Sequence, residues 1–162
     1  IPIAYTPFGE LVAGFFMGFV IIAIAFFIQT GTVSPLIVLV SIPASILVGA
    51  ILLANNIRDL DGDKENGRKT IAILVGRLNA IHLLAAMFIV SYTLIVYFAF
   101  AGHTSFWTFL VYLSIAKPIT AVKEFKKNNS NVKMMPAMIA TAKTNTIFGF
   151  LLIIGLVIGY FV

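Results

Sequence analysis

The chain has 162 residues, of which 60% are hydrophobic and only 10% charged, with no Cys and a net charge of +5. A soluble domain carries roughly a quarter charged residues, so a single water-facing core is excluded and a bilayer is the solvent this composition fits. The lack of cysteine removes disulfides and thiolate metal sites as well.

Position 1 is Ile rather than Met, and residues 1–8 lack the basic start of a signal peptide. The expectation is a chain that begins partway through a longer protein. About five transmembrane helices of roughly 20 apolar residues follow. The first covers residues 10–29, with Thr6 as N-cap, Pro7 at the first helical position and Glu10 at the positive end of the dipole. The second covers 34–56 and carries Pro43 as a kink. A short amphipathic piece, 70–77, leads into the third at 80–101. The fourth covers 105–122, with Lys117 and Pro118 near its end. The fifth starts near 132 and is purely apolar from 147 to 162, with Lys143 and Asn145 nearer its start. No repeat of fixed period is visible. The expected fold is all-α, a polytopic membrane helical bundle forming one domain over residues 1–162.

The connections alternate in character. Residues 31–33 and 102–104 hold no Lys or Arg, whereas 57–77 and 123–133 are charged. Five spans put both charged loops, and with them all 11 Lys and Arg, on the side of the N-terminus. The positive-inside rule makes that face cytoplasmic. It also answers the basic balance: the charge marks topology, and no nucleic acid is expected as partner.

Four of the six carboxylates, Asp59, Asp61, Asp63 and Glu65, fall within seven residues at the cytoplasmic end of the second span. If the helix runs on past the membrane, Asn55, Asp59 and Asp63 form one i, i+4, i+8 row facing the bundle, with Asn56 bordering it and Asp61 on the other side. Two acids so placed repel unless a cation joins them. With oxygen ligands alone, Mg²⁺ bound through substrate phosphates fits best. An EF-hand counted from Asp59 fails, since Lys64 and Thr70 stand where Gly and Glu are required. Zinc would need His or Cys, and His82 and His103 lie on opposite sides of the membrane. Arg58, Lys64, Arg68 and Lys69 surround the acids, and Gly67 lets the chain turn Arg68 and Lys69 back towards them. A solvated loop of self-compensating charges is the plain alternative; the Asp spacing and the Asn pair argue against it.

The stretch Asn56-Ile57-Arg58-Asp59, followed by Asp63, Gly67, Lys69-Thr70 and Gly76, resembles the second aspartate-rich motif, D-x-x-x-D, of the UbiA superfamily of intramembrane prenyltransferases. Pro2-Ile3-Ala4-Tyr5-Thr6 and Gly9-Glu10 resemble the segment before that family's fifth helix. The wording is most similar to the branch of menaquinone synthesis that acts on 1,4-dihydroxy-2-naphthoate. The resemblance implies a nine-span bundle of which this chain is the last five. It implies transfer of a polyprenyl group from polyprenyl diphosphate to that naphthoate, with loss of CO₂, in contact with membrane lipid. Asp59 and Asp63 would hold one Mg²⁺; Arg68 and Lys69, then Lys64 and Arg58, and Asn56 would serve the diphosphate. The family's other motif, N-D-x-x-D-x-x-x-D, has no counterpart, since no Asn-Asp pair occurs in the sequence. The expected partner is therefore the missing N-terminal half, without which the chain would be inactive. Another acceptor, such as 4-hydroxybenzoate or a tetrapyrrole, is the near alternative. A transporter or structural subunit is the distant one, disfavoured because the acids sit at a membrane end rather than at mid-depth. Glu10 serves either the site or the helix dipole, Tyr5 lies on the site face, Trp107 and Tyr112 read as belt or packing residues, and Lys117 and Lys143 as snorkelling cations.

Overall fold

The computed structural model describes residues 2–162, the Ala4 side chain excepted; position 1, read above as an internal start, lies outside them. A 3-10 turn at Ile3–Tyr5 precedes α1 (Gly9–Thr30), α2 (Pro35–Arg58), α3 (Leu60–Glu65), α4 (Ile71–Val75) and α5 (Arg77–Phe100). A 3-10 segment at Phe106–Ser114 then runs into α6 (Ala116–Lys127), and α7 (Met135–Phe161) closes the chain. The described residues contain no strand.

Four helices, α1, α2, α5 and α7, are long and apolar enough to cross a membrane, with 22, 24, 24 and 27 residues. At 1.5 Å per residue each reaches about 30 Å or more, the thickness of the hydrocarbon core. The fourth expected span differs from a plain helix. Pro118 cannot donate to the Ser114 carbonyl and its ring crowds that carbonyl, so regular α-helix starts only at Ala116, with Pro118 in its first turn. Phe106–Ser114 wind as a 3-10 helix, which at about 2 Å per residue covers about 18 Å before the chain turns α-helical.

The start of α1 also differs from expectation. Thr6 does not cap it: its hydroxyl donates to the Ile3 carbonyl at 2.7 Å and accepts the Phe8 N–H at 3.4 Å, and the helix opens at Gly9. Ser34 does cap α2, accepting the Ile37 N–H at 3.3 Å with Pro35 at the first helical position. Ser34→Ala is expected to cost about 1 kcal/mol and Ser34→Asn to restore it, read as the thermal midpoint of the detergent-solubilised protein.

Packing follows the apolar spacing. Leu47, Ala50, Ala54 and Ile57 on α2 meet Ile81, Leu84, Phe88, Tyr92 and Ile95 on α5, with Ala137, Ala140, Phe148 and Leu152 of α7 completing the core. α2 is central, touching α1, α5 and α7. Where helices come closest the residues are small. A Cβ on Gly14 would lie 2.7 Å from the Ser45 carbonyl oxygen, and one on Gly18 would lie 2.5 Å from Ser45 Cα. A Cβ on Gly49 of α2 would lie 2.9 Å from the Glu10 carbonyl oxygen. These four-residue spacings of small side chains let two backbones approach in lipid, where apolar burial alone gives no preference. Gly155 and Gly159 play the same part on α7 against Trp107, Thr108 and Ser105.

The α1–α2 seam holds Glu10 at the loop end. Pro43, inside α2 as expected, has its carbonyl taken by Ser91 Oγ of α5 at 3.3 Å.

Candidate active site

α2 does not run straight through the acidic stretch. It ends at Arg58, Asp59 forms the joint at φ −95°, ψ 10°, and α3 resumes at Leu60. The i→i−4 bonds nevertheless continue across the joint, from Asp59 N to Asn55 O and from Asp63 N to Asp59 O, both 2.9 Å. The i, i+4, i+8 register of Asn55, Asp59 and Asp63 therefore continues through the joint.

α3 ends in a Schellman turn. Gly67, at φ +72°, donates to the Lys64 carbonyl and Arg68 N to the Asp63 carbonyl. That left-handed residue bends the chain back, as its position predicts, and brings Arg68 Nη1 to 2.8 Å from Asp63 Oδ1. The N-terminal segment lies over this turn: Lys69 N donates to the Tyr5 carbonyl at 3.1 Å, and the Arg68 guanidinium carbon sits 5.8 Å from the Tyr5 ring centre. Tyr5 is thus part of the cluster, a cation–π neighbour of Arg68. Gly76, at φ +79°, ψ 156°, occupies a region open essentially to glycine and swings the chain from α4 into α5.

Each acid of the row carries an arginine. Arg58 forks onto Asp59, with Nε 2.8 Å from Oδ1, and also donates to Asn55 Oδ1 at 2.8 Å. The Asp59 side chain is 30% exposed and the Asp63 side chain 12%. Asp61 points the other way, 69% exposed, and pairs with Arg77 at 2.7 Å. Arg77, read from the sequence only as a topology charge, also donates to the Ile57 carbonyl at 3.2 Å near the end of α2, where a cation opposes the negative dipole end. Lys64 and Lys69 are exposed at the rim. Lys117 is half-buried on α6 and Lys143 exposed on α7, neither bonded to the cluster.

Two residues join the site from outside the motif. Asn131 Nδ2 lies 3.4 Å from Asp59 Oδ1. Asn56, 2% exposed, donates from Nδ2 to Glu10 Oε1 at 2.9 Å, across 46 residues of sequence. Asn56 thus faces α1, while Arg58 and Asp59 face the segment before α7.

Four side-chain oxygens here are buried without a partner: Asp63 Oδ2, Glu10 Oε2, Asn56 Oδ1 and Thr70 Oγ1. Leaving such a group unmet costs about 1–3 kcal/mol, so each of these oxygens is open to a water, a cation or a hydrogen-bond donor. Asp63 Oδ2 could take an oxygen-seeking divalent cation, whereas both oxygens of Asp59 are engaged by Arg58. Among the described residues no three His, Asp or Glu side chains converge.

Below the cluster, between α1, α2 and α5, runs a groove of about 560 Å³. Its walls are apolar, including Leu11, Phe15, Phe19, Ile46, Leu53 and Met87, and Glu10 is the one charged residue among its lining.

Membrane-length helices with a charged, oxygen-rich cluster at one end define a polytopic helical membrane protein. The chain belongs to the UbiA prenyltransferase family, whose sequence pattern matches residues 2–133. It is 55% identical over 161 residues to the 1,4-dihydroxy-2-naphthoate octaprenyltransferase of Bacillus subtilis (strain 168), covering 99% of this chain and 52% of that protein. The Escherichia coli (strain K12) protein of the same name is 24% identical over 96% of this chain and 50% of its own length. The UbiA prenyltransferase domain-containing protein 1 homolog of Drosophila melanogaster is 34% identical over 93% of this chain and 40% of its own length. The chain thus spans about half the length of the curated relatives it matches. No solved structure matches it. UbiA prenyltransferases are generally metal-dependent.

Proposed function

We propose that the chain carries one part of the active site of an enzyme that transfers a polyprenyl group from its diphosphate to 1,4-dihydroxy-2-naphthoate, with loss of CO₂. The observation that carries this reading is the 55% identity, over nearly the whole chain, to a protein named for that reaction. The structural support is the half-paired Asp63, its Oδ2 buried, beside Arg68. A second group of acids is supplied from outside these 162 residues, since the sequence holds no Asn-Asp pair.

Asp59 and Asp63 would hold Mg²⁺, which when bound supplies positive charge against the leaving diphosphate. Arg68 anchors the phosphate oxygens from a position fixed by Asp63, by Tyr5 and by the Gly67 turn. Lys69 and Lys64, exposed at the rim, add cationic contacts, and Arg58 keeps Asp59 in place. The free side-chain oxygen of Asn56 is an acceptor and its amide N–H is given to Glu10, so it serves the diphosphate less well than the arginine does. The groove takes the polyprenyl tail and keeps water from the allylic carbon while its bond to oxygen breaks. The loop faces the cytoplasm, a placement supported by the gathering of Lys and Arg at that end.

The test uses the full-length protein in detergent or vesicles with polyprenyl diphosphate and the naphthoate. Chelation of divalent cations is expected to lower prenylation and CO₂ release together by about 100-fold or more, and Mg²⁺ to restore both. Transfer that persists under chelation, or that proceeds better with 4-hydroxybenzoate, would overturn the metal or the acceptor assignment respectively.

A further inference from the structure

We infer that Glu10 is the proton acceptor for a hydroxyl group of the aromatic substrate, held in position by Asn56. The inference rests on the prenyl-transfer reading above and names the group that handles the proton.

Glu10 occupies the first turn of α1, 9% exposed, at the loop end of the groove. Its Oε1 is fixed by Asn56 Nδ2 at 2.9 Å, and its Oε2 is buried and unmet. Asn56 Oδ1 beside it is unmet too. Both free atoms accept hydrogen bonds, and a ligand that donates would satisfy them together. A diphosphate offers only acceptor oxygens and would be repelled by a buried carboxylate. A hydroxyl on an aromatic ring donates, and the ring suits the apolar walls around Glu10. The backbones of α1 and α2 come close here, since a Cβ on Gly49 would stand 2.9 Å from the Glu10 carbonyl oxygen. The carboxylate is therefore held at the groove mouth by Asn56, on a segment packed closely against α2.

The chemistry balances. As the ring carbon attacks the allylic carbon, the C–O bond to diphosphate breaks and its electron pair leaves with the diphosphate. The substrate O–H breaks at the same time, its proton passes to Glu10 Oε2, and its electron pair forms a ring carbonyl. The bond to the carboxylate then breaks, CO₂ departs, and the freed pair restores the aromatic ring. The ring oxygen takes the proton back from Glu10. The residue ends as it began, and no oxidant or reductant is needed.

The test is Glu10→Gln in the full-length protein with Mg²⁺, a change that keeps the shape and the Asn56 contact. Expected is a fall in kcat of about 10²–10⁴-fold, with KM for polyprenyl diphosphate within about threefold of wild type. Wild type should bind the hydroxylated naphthoate about tenfold more tightly than its O-methyl ethers, and E10Q should lose that preference. Turnover within about threefold of wild type, or a preference for hydroxyl that survives, overturns the role. So does a KM for polyprenyl diphosphate that rises as far as kcat falls, which would place Glu10 on the diphosphate side. If E10Q does not fold, Glu10→Asp decides by the same ether comparison, with kcat lowered and the preference weakened but present. A wild-type protein that fails to prenylate the naphthoate sinks the underlying reading; an active wild type with an unaffected E10Q sinks this inference alone.

Discussion

Asp63→Asn in the full-length protein is expected to lower prenyl transfer by on the order of 10²–10³-fold and to raise the Mg²⁺ concentration needed for half-maximal rate. The side chain has two oxygens with different tasks: Oδ1 fixes Arg68 at 2.8 Å, and Oδ2 is buried and waiting. Asparagine keeps the volume, so the fold should hold. It removes the charge that a cation would need and turns one acceptor into a donor facing either the metal or Arg68. Both losses fall on the leaving diphosphate. Asp61→Asn is the matched control: Asp61 is 69% exposed, on the far side of α3, and pairs with Arg77. A solvated pair of that kind contributes about 0–1 kcal/mol, so transfer should change by less than about threefold. Steady-state rates across a Mg²⁺ series separate the two variants. Equal effects from D61N and D63N would remove the case that the row, and not the general acidity of the loop, carries the chemistry.

Gly155→Val is expected to destabilise the bundle by about 2–3 kcal/mol or more. A Cβ there would stand 2.5 Å from the Trp107 carbonyl oxygen and 2.7 Å from Thr108 Cα. Both are backbone atoms, so no rotamer change relieves the clash, and only movement of the whole 3-10 segment away from α7 can. Thr108 and Val111 would then lose their buried positions. Gly149→Ala on the same helix meets nothing within 4 Å and should be neutral or slightly stabilising, since alanine is the better helix former. Thermal unfolding of the two variants in one detergent reads the difference, and a G155V midpoint equal to wild type would mean that the seam yields without cost.

The sequence made the membrane helices legible because their signal is local: length and apolarity suffice, and α1, α2, α5 and α7 fall within a few residues of the expected spans. The aspartate row was legible for the same reason, since a spacing of four needs only a helix. The joint at Asp59 was not, although the row survives it. What escaped was most of what needs two distant segments, Tyr5 beside the site being the exception. Glu10 and Asn56 stand 46 residues apart, and nothing local marks them as partners. Asn131 looks like any loop asparagine until Asp59 is seen beside it. Arg77 reads as one basic residue among many, and only the fold shows it closing on Asp61 and on the end of α2. The small-residue seams had a signal that could have been used: Gly14 with Gly18, Ser45 with Gly49 and Gly155 with Gly159 each repeat at four.

Residues Gly14–Val20 of α1 are wound as a π-helix. In an ordinary α-helix, eight residues overshoot two turns by about 80°, so Glu10 and Gly18 could not share a line along the axis. The wider coil absorbs that drift, and Glu10, Gly14 and Gly18 are the residues that α1 buries up to Val20. The looser winding thus works as a phase corrector: it lets the stretch that zips α1 to its neighbour also aim a carboxylate. Removing one residue from that stretch would tighten the coil, and either the zip or the aim would have to be given up.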